Sequence, residues 1–428
     1  MSLLTQYDNA MVRGQRSVPV ISRLGGGTLA TIGDNTPFRV AGATAVVYQL
    51  RQPTGKVLAL RAWHARDPDA DTIERYRALS RSDLLGQFRT HPNSPLVHTL
   101  AYHPDAVLIE ADDSRDMNRP MVVLDWVMGP TVLAAVDRAC RAKDGAYLNA
   151  LAGAWRTAIE VGADIGFVHG DLSGSNAIVR PKEGIAFVDY DTAYWGGAPS
   201  VPKLDPAPAW RHRDGVPADP ERVDDFPALL MYASLRLLAV WPELRMEHGQ
   251  PATVKDAGLL FSPRDLANPD GSALFGKARV ISDTGVLALI GVLRELALAP
   301  VDDLPTFAAA LEMADHIARS GPLVPPPVTA PRRQQTRRPS ATTGERPAPV
   351  RSAEPAPPAP GPDEPASYWP AHQRAWNPDA LSELAGAVAR GDLARAEMLW
   401  TSVATEPGAT ALLPALHLLR NEGRTGVA

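Results

Sequence analysis

Three short oxygen-bearing side chains lie close together near the middle of the chain. Asp171 and Asn176 occur in "GFVHGDLSGSNAIV" (166–179), and Asp189 follows in "VDYD" (188–191). Carboxylate and amide oxygens are hard ligands of the kind that Mg²⁺ binds together with phosphate oxygens. If Asn176 and Asp189 held the metal, Asp171 would remain available to orient a hydroxyl group and accept its proton. This division of labour is what phosphoryl transfer requires.

The flanking residues indicate how the trio is positioned. "NAIV" and "IAFV" are short apolar runs separated by the turn-forming stretch "RPKEG". Two such runs around a turn predict a β-hairpin. A hairpin here would bring Asn176 and Asp189 to the same end, and Asp171 would lie on the loop in front of it.

The rest of the main domain changes from strand patterns to helix patterns. "FRVAGATAVVYQLR", "KVLALRAWHA" and "RPMVVLDWV" are rich in apolar and β-branched residues, whereas 131–165 and 220–320 have helical spacing. Strands followed by helices predict an α+β architecture with two lobes. The longest apolar runs, 226–241 and 284–301, are too short or carry charges, which indicates buried helices and not membrane spans.

Composition excludes several classes of function. The 428-residue chain has a net charge of −5 and a pI near 6.1, which argues against a general nucleic-acid or membrane-surface binder. Its one cysteine, Cys140, excludes an internal disulfide and argues against a Cys-based zinc site. The N-terminus shows no signal-peptide pattern. We therefore expect a cytoplasmic protein without a nucleic-acid or membrane partner.

The motif around the trio resembles a known superfamily. "HGDLSGSN" followed by "DYD" is similar to the catalytic loop and metal-binding turn of protein-kinase-like enzymes, and its His-Gly-Asp opening is similar to that of aminoglycoside and choline phosphotransferases. The run from about 30 to 315 most resembles a bacterial set of kinase-like proteins with "HGDL…N" and "VDYD" signatures. The resemblance implies a two-lobed kinase-like fold, ATP and Mg²⁺ as cofactors, Asp171 as the catalytic residue, and Asn176 and Asp189 as metal ligands.

The same resemblance assigns further positions to the nucleotide site and to its support. The nucleotide-binding positions are Val40, Gly42, Ala45 and Val47 in the glycine-rich loop, Ala59 and Arg61 on the third strand, and Leu124, Asp125 and Val127 in the hinge. Two further residues are expected to be structural. His169 would pack the catalytic loop through a backbone hydrogen bond, and Asp225 would brace that loop from a buried helix.

The phosphate-anchoring cation departs from the family pattern. Arg61 replaces the usual lysine, and its planar guanidinium differs in length and shape from an ammonium group. Lys56 cannot easily replace it, because alternate residues of a strand face opposite sides. Glu74 is the best candidate for the helical glutamate that pairs with this cation.

Three substitutions in the loops also depart from the pattern. Ser173 replaces a lysine that contacts the γ-phosphate, Gly170 replaces an arginine that receives an activating phosphate, and Asp191 replaces the glycine of the metal-binding turn. Asp191 is interpreted as a further metal ligand or a turn residue. No Ala-Pro-Glu segment occurs in 192–224, where a platform for a peptide substrate would lie.

Five regions are predicted along the chain. They are an N-terminal extension (1–29), a kinase-like N-lobe (30–128), a C-lobe (129–320), a disordered proline-rich linker (321–372) and a small helical module (373–428). The linker is interpreted as a solvated tether or as a segment that docks a partner or accepts phosphate, and the module would dock a partner or regulate the chain through that tether.

Three functions stay open at this point. The first is a Ser/Thr protein kinase that transfers the γ-phosphate of ATP to a protein hydroxyl group, and the departures favour slow turnover. The second is a pseudokinase that binds nucleotide or a partner without turnover. The third is a small-molecule phosphotransferase of the aminoglycoside type. Expected partners are a nucleotide and a protein substrate or a partner phosphatase.

Overall fold

A computed structural model describes residues 2–320, except 33–35, 43, 66, 87–93, 111–115, 181–183, 205 and 251–257. The linker and the helical module predicted over 321–428 lie outside the described residues. The described chain combines an antiparallel sheet with a largely helical second half, which confirms the α+β class.

A curled, six-stranded antiparallel sheet occupies the first half of the described chain. Its strands are β1 (Thr28–Leu29), β4 (Arg39–Ala41), β5 (Ala45–Arg51), β6 (Val57–Trp63), β7 (Leu100–Glu110) and β8 (Asp116–Asp125), while β2 (Thr31–Ile32) pairs with β3 (Thr36–Pro37). The order is β1-β5-β6-β8-β7, and β4 also pairs with β5. The three apolar runs predicted as strands all lie in this sheet.

Side chains of the central strands alternate between two covered faces. On β5, Val46, Tyr48 and Leu50 face a cluster of N-terminal residues, whereas Ala45 and the β6 residue Trp63 face the helical half. Alternation is the consequence of the two-residue period of a strand, and near-continuous apolar strands are expected where both faces are buried. The second face is the one that meets the candidate site.

The segment predicted as an N-terminal extension covers the first face of the sheet. Helices α1 (Leu3–Arg13) and α2 (Pro19–Arg23) bury Tyr7, Met11 and Ile21 in one hydrophobic cluster with the strands. Tyr48 also donates a 2.8 Å hydrogen bond to Asp8. Each fully buried side chain of this size stabilises the fold by about 1.5–3 kcal/mol. These helices are therefore part of the same packed body as the sheet.

Helices account for most of the second half. They are α3 (Ala70–Arg81), which lies between β6 and β7, and then α4 (Val132–Arg141), α5 (Gly145–Asp164), α6 (Asp225–Val240), α7 (Leu244–His248), α8 (Pro263–Ala267), α9 (Ala273–Ala278), α10 (Thr284–Leu296) and α11 (Phe307–Ser320). Trp155 of α5 is fully buried and donates a hydrogen bond to the carbonyl of Ala228 in α6. Within the described residues, no helix has the length and hydrophobicity to cross a membrane.

Two small antiparallel pairs position the loops that carry the trio. Strands β10 (Ala177–Arg180) and β11 (Gly184–Phe187) form the predicted hairpin, and the first pair of its register is Ala177 with Phe187. Strands β9 (Phe167–Val168) and β12 (Tyr194–Trp195) pair beside it. Loops 169–176 and 188–193 therefore lie next to each other.

Candidate active site

Asp171 and Asn176 form a hydrogen-bonded unit on the first loop. The Asn176 amide nitrogen donates to the Asp171 carboxylate Oδ2 and to the Asp171 backbone carbonyl, both at 2.9 Å. This leaves the side-chain oxygen of Asn176 for another partner. Burial raises the pKa of Asp171, and the negative charge of Asp189 adds to this effect. A carboxylate with a raised pKa is better matched to proton transfer near neutral pH.

The hairpin brings Asp189 to the same end as Asn176. The Val188 amide donates a 2.9 Å hydrogen bond to the backbone carbonyl of Asn176, which joins the two loops directly. Asp189 has a left-handed backbone with φ of 69°. Such a conformation is uncommon for a residue other than glycine, and strained backbones of this kind cluster at functional sites. The Asp189 side chain is 38% exposed, so its carboxylate is accessible beside Asn176.

Both ring nitrogens of His169 have main-chain partners. Its Nε2 lies 2.9 Å from the Val188 carbonyl, and its Nδ1 accepts from the Asp171 amide at 3.4 Å. Its ring is buried and packs edge-on against Phe187. With both ring nitrogens engaged, His169 fixes the shape of loop 169–176 and is not placed for proton transfer.

The brace of loop 169–176 is Asp224, and the prediction of Asp225 is wrong. The Asp224 carboxylate accepts hydrogen bonds from the backbone amides of His169 and Gly170. Asp225 instead accepts from Arg222 and, at 2.7 Å, from the amide of Phe307 at the start of α11. Asp224 precedes the first turn of α6 and faces the loop, whereas Asp225 lies within that turn and faces another side of the helix.

Gly170 has a steric role at the position where an arginine was expected. Its φ is +79°, and a Cβ atom added there would lie 2.3 Å from the Thr192 carbonyl oxygen. The Thr192 hydroxyl also donates to the His169 carbonyl at 3.1 Å. Only glycine fits both the left-handed backbone and this close approach. Thr192, directly after the turn 188–191, is thus packed against loop 169–176.

Arg61 reaches the turn 188–191 from strand β6. Its Nη2 donates to Asp189 Oδ1 at 2.7 Å and to Asp191 Oδ2 at 2.8 Å. The guanidinium carbon lies 4.8 Å from the centre of the Trp63 ring and 6.0 Å from that of Tyr76, within the range of cation–π attraction. The Nη1 atom is buried without a hydrogen-bond partner among the described residues.

Asp191 is a centre of contacts that sequence reasoning did not assign. Besides Arg61, its carboxylate accepts from the Trp63 indole at 3.3 Å and from the Tyr76 hydroxyl at 2.9 Å. Its backbone carbonyl accepts from Arg75 at 2.7 Å. Both oxygens of the carboxylate are therefore engaged, which favours the reading of Asp191 as a residue of the turn over that of a metal ligand.

Glu74 does not pair with Arg61. Its side chain is 51% exposed and lies 3.6 Å from Arg77, one turn along α3. Successive helix residues point about 100° apart, so Arg75 and Tyr76 face the site when Glu74 faces solvent. Lys56 pairs with the hinge instead, with its Nζ 2.9 Å from Asp125.

The positions expected to surround a nucleotide lie on one face of the sheet. Val47 pairs across the strands with Val40 on one side and with Arg61 on the other. Ala59 pairs with Leu124, and the Gly42 amide closes the turn to Ala45 with a 2.8 Å hydrogen bond. The structure therefore brings these seven predicted residues together.

The hinge residues lie at the edge of this face. The Asp125 side chain accepts from the amides of His98 and Thr99, so it is a structural group. The backbone amides of Asp125 and Trp126 donate to the carbonyls of Thr99 and Val57, so of these three amides that of Val127 is left for an adenine. The Trp126 ring packs edge-on against Phe38, with ring centres 5.8 Å apart. Phe38 was not predicted, although its two-residue spacing from Val40 could have placed it on the same face.

The oxygen atoms of the site fit a magnesium ion only together with a ligand. Asn176 and Asp189 offer one amide oxygen and one carboxylate, and Arg61 already binds one oxygen of the latter. In the described part of the chain, no group of three or more His, Cys, Asp and Glu side chains is arranged to hold a metal. Mg²⁺ commonly takes one or two carboxylates and completes its shell with waters and phosphate oxygens. The donor set therefore suits Mg²⁺ bound to a nucleotide.

Sequence comparisons add no relative to this picture. The chain matches no protein-family model. No curated protein matches it either. The geometry and chemistry of the site itself are therefore what point to a function.

Proposed function

We propose that this chain is a Mg²⁺- and ATP-dependent phosphotransferase with a two-lobed protein-kinase-like fold, and that it phosphorylates a serine or threonine hydroxyl group of a protein. The observation that carries the proposal is the hydrogen-bonded pair of Asp171 and Asn176 beside Asp189 on adjoining loops. A base, an amide oxygen and a second carboxylate in this arrangement match the needs of phosphoryl transfer.

Asp171 is the group that accepts the proton. One of its carboxylate oxygens is fixed by Asn176, and no ion pair to Asp171 occurs among the described residues. The acceptor hydroxyl oxygen attacks the γ-phosphorus, the bond from that phosphorus to the bridging oxygen breaks, and ADP leaves. The hydroxyl proton passes to Asp171. Its raised pKa makes the carboxylate a stronger base than an ordinary aspartate.

The sheet face and the loops bind the nucleotide. Val40, Val47, Ala59 and Leu124 give an apolar surface for the adenine, and the Val127 amide supplies a hydrogen-bond donor. Asn176 and Asp189 would hold Mg²⁺, which neutralises negative charge on the phosphate oxygens. Arg61 adds a fixed positive charge at the same end of the site.

A catalytically inactive, nucleotide-binding scaffold is the second candidate, and one contact favours it. Arg61 Nη2 binds Asp189 Oδ1, the carboxylate on which the metal depends. A guanidinium at this position competes with a divalent cation for the same oxygen. If that competition is strong, the chain would bind nucleotide weakly or without turnover.

The test is binding and turnover of ATP by the full chain. Calorimetry would measure ATP affinity with and without Mg²⁺, and ATP labelled at the γ-phosphate would be incubated with the chain and with candidate protein substrates. We expect Mg²⁺-dependent binding and labelled protein in the wild type, and loss of label in Asp171→Asn and Asp189→Asn. Asp71→Asn, an exposed change on α3, is the matched control and should keep the activity.

The outcomes separate the alternatives. Metal-dependent binding without label in any product would support the scaffold. Label that appears in a small molecule and not in protein would support a small-molecule phosphotransferase. Label that persists in Asp171→Asn would overturn the assignment of the base, and absence of any ATP binding would overturn the proposal.

A further inference from the structure

Helix α3 is joined to the metal-binding turn through one carboxylate. Tyr76 of α3 and Trp63 of β6 both donate to the Asp191 side chain, and Arg75 of α3 donates to its backbone carbonyl. Arg61 donates to the same side chain. Four donors from a strand and a helix thus converge on one turn residue, far from them in the chain.

The acidic residue that α3 could offer takes no part in this network. Glu74 is half exposed and contacts Arg77 of its own helix. In protein kinases, an ion pair between the strand cation and a helix glutamate must be in place for activity. Here the strand cation has two carboxylate partners, and both lie on the metal-binding turn.

Arg61 depends on this arrangement for its charge balance. Its side chain is almost fully buried, and its guanidinium lies against Trp63 and Tyr76. A buried cation is strongly destabilising when it is left without a partner, so the guanidinium must keep at least one carboxylate. Because a single nitrogen, Nη2, is shared by Asp189 and Asp191, the second carboxylate draws the cation partly away from the first.

We propose that Asp191 is a positioning residue, which holds α3 and Arg61 against the metal-binding turn and keeps Asp189 available to the metal. This inference rests on the proposed function. A glutamate of α3 was expected to pair with Arg61, and Asp191 of the turn takes that place. Two measurable consequences follow, one for the helix and one for the metal.

Removal of Asp191 should loosen α3 and raise the metal demand, which is the Mg²⁺ concentration needed for half-maximal ATP binding. Without it, Arg61 has Asp189 as its remaining carboxylate and competes more strongly with the metal. Tyr76 and Trp63 lose their common acceptor at the same time. Hydrogen bonds to a charged group contribute free energy of the size that corresponds to about a tenfold change in affinity. We therefore expect about a tenfold rise in the Mg²⁺ concentration for half-maximal ATP binding.

The experiment compares Asp191→Asn and Asp191→Ala with Glu74→Gln in the full chain. Calorimetric ATP binding at a series of Mg²⁺ concentrations gives the metal demand, and hydrogen–deuterium exchange of residues 70–81 reports the helix. The two Asp191 variants should show both the higher metal demand and faster exchange. Glu74→Gln should differ from the wild type by less than about twofold in both, because its ion pair is exposed.

A double-mutant cycle tests whether Asp191 acts through Arg61. In an Arg61→Met background the competing cation is absent, so Asp191→Asn should no longer raise the metal demand. Faster exchange with an unchanged metal demand would make Asp191 a merely structural residue and overturn the proposal. An effect of Glu74→Gln equal to that of Asp191→Asn would overturn it as well.

Failure of the proposed function is distinguishable from failure of this inference. A wild type that binds no ATP at any Mg²⁺ concentration removes the phosphotransferase proposal. Exchange of residues 70–81 then tests only whether Asp191 holds α3, and that part of the inference is wrong if Asp191→Asn exchanges like Glu74→Gln. Asp191→Asn keeps the size of the side chain, so it gives an answer even if Asp191→Ala does not fold.

Discussion

Loop 169–176 and the Arg61 cluster (Arg61, Trp63, Tyr76, Asp189 and Asp191) hold the two sides of the site by different means. The loop is fixed mainly through its backbone, by the Asp224 carboxylate and by the close approach of Thr192 to Gly170. The cluster is fixed through side chains, by two carboxylates that share one guanidinium. The loop should therefore be rigid and intolerant of change, whereas the cluster can exchange partners when a cation or a phosphate binds.

The largest effect is expected at Gly170. Gly170→Ala places a methyl group 2.3 Å from the Thr192 carbonyl oxygen in a left-handed backbone, so something must shift. We expect a loss of about 3 kcal/mol in the free energy of unfolding, measured by urea denaturation. Gly166→Ala is the matched control, since Gly166 also has a positive φ but open space around it. Equal losses in the two variants would show that the close approach is unimportant.

The next effect is expected at the brace. Asp224→Ala leaves the amides of His169 and Gly170 without their acceptor, and we expect a loss of about 2 kcal/mol in the free energy of unfolding. Phosphotransfer should fall by more than the stability alone explains, because the loop that carries Asp171 loses its support.

The control for the brace is Asp225→Ala, which removes the contacts to Arg222 and Phe307. It should lower stability but leave the ATP affinity and the turnover of the folded fraction near those of the wild type. Turnover lost in Asp225→Ala and kept in Asp224→Ala would return the brace to Asp225.

A smaller effect is expected in the Arg61 cluster. Tyr76→Phe removes one donor to Asp191 and keeps the ring against Arg61, so the free energy of unfolding should fall by about 1 kcal/mol. Exchange of residues 70–81 should rise, whereas exchange across 167–176 should stay at the wild-type rate. Faster exchange in both segments would mean that the two sides are not independently held.

The smallest expected effect is a gain in stability when Asp171, the proposed base, is replaced. Asp171 has a raised pKa in the folded chain, so its ionised form opposes folding above that pKa, and the penalty disappears as the pH falls through it. Asp171→Asn should therefore be slightly more stable than the wild type at pH 7, by about 1–3 °C in Tm. The difference should shrink toward acid pH, and calorimetric melts across that range would check it.

The sequence allowed the trio and its hairpin to be predicted because both depend on local spacing. Asn176 and Asp189 flank two short apolar runs, and hairpin register follows from such runs. The change from strand patterns to helix patterns along the chain could be predicted for the same reason, because each pattern is local. These features need no knowledge of which distant elements meet.

The remaining support of the site could not be predicted by the same means. Adjacent aspartates, Asp224 and Asp225, are equivalent by type, and only the start of α6 decides which one faces the loop. The choice between Glu74 and Tyr76 depends on the phase of a helix relative to a sheet. Asp191 gathers donors from 61–76, and no local pattern in the sequence encodes that convergence.

The N-terminal helices have a practical consequence for where the chain is cut. A chain begun at residue 30, the predicted edge of the catalytic domain, would lack the partners of Val46, Tyr48 and Leu50. The apolar back of the sheet would then face water, and exposed patches of this kind lead to self-association. A shortened chain should therefore fail by aggregating, even though every residue of the candidate site is still present.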